Sequence, residues 1–207
     1  MSDDLQLLQA WQAGDRGAGQ ALFHRYFGLV KGLLQGKTSD VEELVQRTFE
    51  ALVQARGRLQ VRTSVRAYII SIARHELYAS IRRHVREPEA FDPQQVTAIG
   101  LLPSASEVVA SKAQQRLLLD ALRRIPLDAQ ILLELHYWDE MSTAELAEAF
   151  QIPRNTVKTR LRRARQLLEA KMDELSDDAA LIASTTLDLD GWARSIRGHA
   201  ADELGHR

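Results

Sequence analysis

Cysteine is absent from all 207 residues. That excludes a disulfide scaffold and thiolate zinc sites, and it suits a reducing compartment. Long apolar runs are missing too. None approaches the roughly 20 residues that a membrane-spanning helix needs, and candidates such as Ile131-Leu132-Leu133 are quickly broken by charge. The N-terminal Met-Ser-Asp-Asp-Leu is acidic where a secretory signal is basic. A cytoplasmic protein with no direct membrane insertion is therefore expected. Catalytic signatures are equally scarce: the six histidines are scattered, with no H-E-x-x-H, no glycine-rich phosphate loop and no G-x-S-x-G. Neighbouring carboxylates such as Glu42 and Glu43 read as helix cap and solvated face. No enzyme, no cofactor and no metal site is expected.

Strand patterning is also wanting. Apolar residues recur with helical period nearly throughout, and the 11 glycines and 5 prolines fall mainly between helical stretches. A composition of 45% hydrophobic and 27% charged residues is that of a folded chain. The expected fold class is all-α: two small helical domains joined by a flexible linker, the second a helix-turn-helix, plus a short C-terminal extension. The boundaries expected are 1–86, a linker at 87–106 containing Pro88, Pro93, Gly100 and Pro103, a second domain at 107–174, and the extension at 175–207.

The net charge of -1 conceals a segregation. Arg154, Lys158, Arg160, Arg162, Arg163, Arg165 and Lys171 are opposed in their stretch only by Glu169. Asp173, Glu174, Asp177, Asp178, Asp188 and Asp190 follow. For nucleic-acid binding the distribution of charge matters more than the sum.

In the first domain, Ser39 and Glu42 have capping-box spacing at the start of a helix. Val41, Leu44, Val45, Thr48, Phe49, Leu52 and Val53 then form its expected core face, with Glu43, Gln46, Arg47, Glu50 and Gln54 outside. A second long helix is expected from Ser64 to about Arg83, with Tyr68, Ile69, Ile72, Ala73, Leu77 and Ile81 as its apolar stripe. Arginines surround it.

Ser142 to Arg165 reads as a helix-turn-helix. Ser142 and Glu145 form a second capping-box pattern, and Pro153 suits the first turn of a new helix. Val157, Leu161, Ala164 and Leu168 should face inward, leaving Lys158, Thr159, Arg162, Arg163 and Arg165 toward a major groove. A basic amphipathic helix alone is more often a solvated face; the capped helix and short turn before it favour DNA. Gln151 stands where such turns often place glycine, and a left-handed conformation there costs on the order of 1 kcal/mol.

Together these motifs resemble the extracytoplasmic-function (ECF) sigma factors of bacterial RNA polymerase. Asp40 to Phe49 is similar to the family's D-A-E-D-L-V-Q-E-T-F helix, Ser64 to His75 to its F-R-A-W-L-Y-R-I-A-R-N segment, and Ile152 to Arg165 to I-P-x-G-T-V-K-S-R-L-x-R-A-R. The resemblance covers about residues 20 to 172. It implies promoter-specific initiation with two partners, core RNA polymerase and promoter DNA. Asp40, Glu43, Gln46 and Arg47 would dock on the polymerase's clamp helices. Arg62, Arg66, Arg74 and His75 would serve the downstream promoter element, with Arg82 and Arg83 on phosphates. Arg154, Asn155, Thr156, Lys158, Thr159, Arg162, Arg163 and Arg165 would serve the upstream element. Arg47 replaces a usual acid, Tyr68 a tryptophan and His75 an asparagine; His75 is as readily read as a plain exposed residue.

The resemblance admits an anti-sigma partner. Self-inhibition by the tail is an alternative suggested by its acidity beside a basic helix and by Trp192, against a tail that merely packs on the second domain or stays loose. A helix-turn-helix regulator that never joins polymerase would explain the second domain but not the first.

Overall fold

The computed structural model describes residues 3–59, 64–85, 91–98, 113–178 and 182, with backbone alone for 113–115. Its helices are α1 (Asp3–Gln12), α2 (Arg16–Leu34), α3 (Val41–Ala55), α4 (Val65–His84), α5 (Ala113–Arg124), α6 (Leu127–Leu133), α7 (Thr143–Phe150) and α8 (Arg154–Leu175). A 3-10 turn at Arg56–Arg58 follows α3, and a π turn at Glu134–Trp138 continues α6. Among the described residues there is no strand, only an isolated bridge between Thr97 and Pro126. Contacts divide the chain into two compact units, Met1–Phe91 with Thr143–Arg154, and Asp92–Ser142 with Asn155–Arg207.

The first unit is built around α4, which packs on α2, α3 and α7. Ser64 caps it, its hydroxyl accepting from the Ala67 amide at 3.2 Å. Neighbours on several sides broaden its buried surface beyond the expected stripe: Val65, Ala67, Ile69, Ile70, Ala73, Leu77 and Ile81 are all buried. Tyr68 and Ile72 are only half-buried. Helix α2 starts at Asp15, whose carboxylate takes the Gly17 and Ala18 amides at 2.8 and 3.2 Å. Asp3 and Asp4 of α1 hold Arg25 of α2, and Asp4 also accepts from the Tyr26 hydroxyl. Burial, then the Asp4 carboxylate, push the Tyr26 phenol well above its usual range.

The capping box expected at Ser39 does not form. Helix α3 begins one residue later behind Asp40, which makes no side-chain cap; the Ser39 hydroxyl donates to the Asp40 carboxylate at 2.8 Å instead. The local competition between two adjacent short polar side chains decides this.

In the second unit, segment 92–98 of the expected linker supplies a cap. The carbonyls of Val96 and Pro93 accept the Leu127 and Asp128 amides at 2.7 and 2.9 Å, donors that the start of α6 would otherwise leave unsatisfied. Asp128, 8% exposed, pairs with Arg160 of α8 at 3.1 Å. Val157, Leu161, Ala164, Leu168 and Met172 are buried, as the helical period requires.

Gly19 provides a test of this packing. A Cβ there would lie 2.4 Å from the Trp11 indole nitrogen, so α1 sits against α2 only because the side chain is absent. Within a helix, Gly→Ala ordinarily stabilises by about 1 kcal/mol; overpacking of this kind costs about 1–3 kcal/mol. Gly19→Ala should therefore lower stability in a urea titration, and a gain would show that Trp11 is loosely held.

Candidate polymerase and nucleic-acid interfaces

Three surfaces carry the expected site residues. The first lies on α2 and α3. Leu44, Val45, Thr48, Phe49 and Leu52 are buried as expected, but Val53 is 55% exposed and Val41 half-buried. The expectation that Val53 faces the core is thus wrong, because no element among the described residues covers the end of that apolar row. Phe23 of α2, 38% exposed, extends it, with ring centroids 4.5 Å from Phe49 and 5.5 Å from Phe27. These side chains line an open groove of about 510 Å³ rimmed by Lys31, Glu42, Gln46 and Glu50.

Sequence reasoning placed the docking chemistry on polar residues beside this groove. Those residues largely satisfy one another. Arg47 pairs with Glu43 at 2.6 Å, and the Gln46 amide donates to Glu50 at 2.7 Å. Asp40 is half-buried at the head of α3. The groove's own residues, Phe23, Phe27 and Val53, were missed; the i, i+4 phenylalanines of α2 were the available signal.

The second surface is α4. His75, Arg82 and Arg83 are exposed, the latter two in the last helical turn. The Arg82 guanidinium lies 5.7 Å from the Phe91 ring. Arg66 is half-buried, and Arg62 lies outside the described residues. Arg74 is half-buried, and its guanidinium is engaged within the first unit. It donates to the Ala149 carbonyl at 2.8 Å, stands 3.7 Å over the Phe150 ring and 5.2 Å from the Tyr78 ring.

The third surface is the helix-turn-helix of α7, the turn at 151–153 and α8. The Ile152 amide donates to Ala147 O at 3.0 Å and Gln151 N to Glu148 O at 3.2 Å, closing the turn. Gln151 adopts φ 55°, so the left-handed conformation that such turns usually give to glycine is here carried by a residue with a side chain. Ser142 immediately precedes α7, while Glu145 accepts from the Ser64 hydroxyl at 3.1 Å. Along α8, Arg154, Asn155, Lys158, Thr159, Arg162, Arg163 and Arg165 are exposed and Thr156 is half-buried. Arg154 donates to the Thr143 hydroxyl at 2.9 Å, bracing the turn. Thr159 donates to Asn155 O at 3.1 Å, and the Arg165 guanidinium lies 5.9 Å from the Tyr137 ring. A shallow basic cleft of about 390 Å³ runs beside Lys158, Arg162 and Arg165, with His136 and Tyr137 opposite. Solvated cations along one side of a helix, raised on a short braced turn, can meet phosphates and base edges.

Two family models match separate stretches of the chain. The family model of Sigma-70 region 2 matches residues 22–87, and that of Sigma-70, region 4 matches residues 115–168. The ECF RNA polymerase sigma-E factor of Haemophilus influenzae is 26% identical over 182 residues, covering 83% of this chain and 96% of its own. The chain belongs to the ECF sigma factors. The sigma-E factor of Escherichia coli K12 is likewise 26% identical over 182 residues, covering 83% of this chain and 95% of that one.

Solved structures share the fold. CnrH, in complex with the cytosolic domain of CnrY, superposes with a TM-score of 0.60 at 20% identity, covering 84% of this chain and 100% of CnrH. RpoE of Bartonella quintana, in complex with the anti-sigma factor NepR, gives 0.56 at 19% identity, covering 74% and 96%. As a sigma factor, this protein is a polymerase-binding initiation subunit, and the family is not an enzyme class. The match to region 2 over residues 22–87 accounts for the first domain, which an operator-binding regulator would leave unexplained. Among the described residues no helix is long and apolar enough to cross a membrane, and no cluster of potential metal ligands occurs.

The strained turn yields a prediction. Gln151→Gly removes a left-handed penalty of about 1–2 kcal/mol and adds unfolded-state entropy of about 0.5–1 kcal/mol. A net stabilisation of up to about 1.5 kcal/mol is expected by thermal or chemical denaturation; destabilisation would mean that the Gln151 side chain contributes contacts of its own.

Proposed function

We propose that this sigma factor docks on core RNA polymerase through the apolar groove between α2 and α3, with Asp40, Glu43, Gln46 and Arg47 as its polar flank. The observation that carries this reading is the uncovered pair Phe23 and Val53 flanking the buried Phe49, with Val53 55% exposed in a helix whose other apolar residues are buried or half-buried. Exposed apolar surface rimmed by polar residues marks a binding surface, and a partner helix laid in such a groove buries it.

In this reading the domains are 1–86, for polymerase binding and melting of the downstream element, and 107–174, for the upstream element, joined by 87–106. Arg66, Arg74 and His75, with Arg62, face the unpaired downstream bases, and Arg82 and Arg83 hold phosphates. Lys158, Thr159, Arg162 and Arg163 discriminate upstream bases, while Arg154, Asn155, Thr156 and Arg165 position the helix on the backbone. Two modest modules on one tether gain affinity through effective concentration. The complexes of CnrH with CnrY and of RpoE with NepR support an inhibitory protein partner for this chain as well. We place the protein in the cytoplasm, where polymerase is. No residue is assigned a catalytic role.

Measured against core polymerase by fluorescence anisotropy, Val53→Glu should weaken binding at least tenfold, since an unpaired charge in a closed interface costs more than about 1.4 kcal/mol. Glu43→Ala, at the rim, should change it by no more than about threefold. The opposite ranking would return the docking role to the polar face.

A further inference from the structure

Residues 92–98 fall between the two family matches, at 22–87 and 115–168, yet they are built into the second unit. Asp92 folds the segment into a turn. Its carboxylate accepts from the Gln94 amide and from the Gln95 side chain, both at 2.9 Å, and its carbonyl takes the Gln95 and Val96 amides at 2.9 and 3.0 Å. A short acid closing a turn on the backbone that follows it is an Asx turn. The turn aims two carbonyls at the head of α6, where those of Val96 and Pro93 accept the Leu127 and Asp128 amides at 2.7 and 2.9 Å. Thr97 bridges Pro126, and Ala98 is fully buried.

The amide held by Pro93 belongs to Asp128, whose carboxylate accepts from the Arg160 guanidinium at 3.1 Å. Three linked contacts thus run from the Asp92 turn, through Asp128, to the helix that carries the exposed cations. We propose that Asp92 and Asp128 are positioning residues for upstream-element recognition. The turn fixes Asp128, Asp128 fixes Arg160, and the segment between the two family matches thereby sets how Lys158, Thr159, Arg162 and Arg163 meet DNA. The inference rests on the assignment of α8 to the upstream element. Its physical basis is directionality. Val157, Leu161, Ala164 and Leu168 hold α8 against the core, but apolar contact has no preferred direction and resists a small roll of the helix weakly. A charge-assisted hydrogen bond has a preferred line, and half-buried Arg160 stands at the edge of the apolar row. Groups that read base edges keep their geometry only when the residues behind them are themselves held.

The test uses the full chain assembled with core polymerase and two DNA probes: a genomic fragment at which the wild type initiates, and the same fragment with its upstream element replaced. The ratio of the two affinities measures discrimination. Asp92→Ala opens the turn without touching α6 or α8, and should lower that ratio by roughly three- to tenfold while binding to core polymerase is unchanged. Asp92→Asn keeps an Asx turn and should stay within about twofold of the wild type. Arg160→Met breaks the same path at its far end, so adding Asp92→Ala to it should cost less than about twofold more. An unchanged ratio in Asp92→Ala, an equal loss of affinity for both fragments, an Asn variant as impaired as the Ala one, or full additivity with Arg160→Met each overturns the proposal. Lys158→Ala with Arg162→Ala separates this from the reading beneath it. If that double variant discriminates as well as the wild type, the assignment of α8 falls, and the positioning role with it; if it alone loses discrimination, only the positioning role falls.

Discussion

Helix α4 cannot bury its apolar residues against a single neighbour. Val65, Ala67, Ile69, Ile70, Ala73, Leu77 and Ile81 span too wide an arc for one helix to cover. The first unit satisfies them by packing α2 and α3 on α4 and adding α7, which lies some sixty residues further along the chain. Two consequences follow. Helices α2 and α3, having turned their inner faces to α4, are left with Phe23 and Val53 on a groove of their own. Arg74, on the side that meets α7, becomes part of a packed contact. The polymerase groove and the engaged arginine are thus products of one packing requirement.

Electrostatics is arranged differently on the three surfaces. On α3 one pair neutralises, Glu43 with Arg47, while the carboxylates of Glu42 and Glu50 stay exposed at the rim of the apolar groove. On α8 one basic residue, Arg160, is used internally against Asp128, while Lys158, Arg162 and Arg163 stay in solvent. That separation of structural from solvated cations is what a reader of a polyanion needs, since only solvated cations can exchange counterions for phosphates. On α4 the exposed charge gathers in the last turn, at Arg82 and Arg83, where it also suits the helix dipole.

Much of this was legible in the residues. The inward set Val157, Leu161, Ala164 and Leu168, the all-helical class and the left-handed Gln151 follow from period and turn chemistry, which are local. The family motifs pointed to the ECF sigma factors, the family that the comparisons show. What local reasoning missed was tertiary. Nothing in the period of α3 says that Val53 will lack a neighbour, because a core face and an uncovered docking face look the same in a single helix. Helix α2 was not read at all, so the Phe23 and Phe27 pair escaped notice. The Ser39 box failed for a local reason that the motif ignores: Asp40 competes for the same hydroxyl. The role of Arg74 in holding α7 depends on a contact across about seventy-five positions of sequence, to which no short motif is sensitive. Of the acidic run, Asp188 and Asp190 lie outside the described residues, as does Trp192.

The central claim is that one chain recruits polymerase with its first domain and chooses the start site with α8. The most direct test is in vitro transcription from genomic fragments by purified core polymerase, with and without the protein. Discrete new start sites are expected, and they should vanish when Lys158 and Arg162 are both changed to alanine while binding to core polymerase is retained. Binding of the fragments with no polymerase-dependent starts, or starts that survive the double substitution unchanged, would contradict the account.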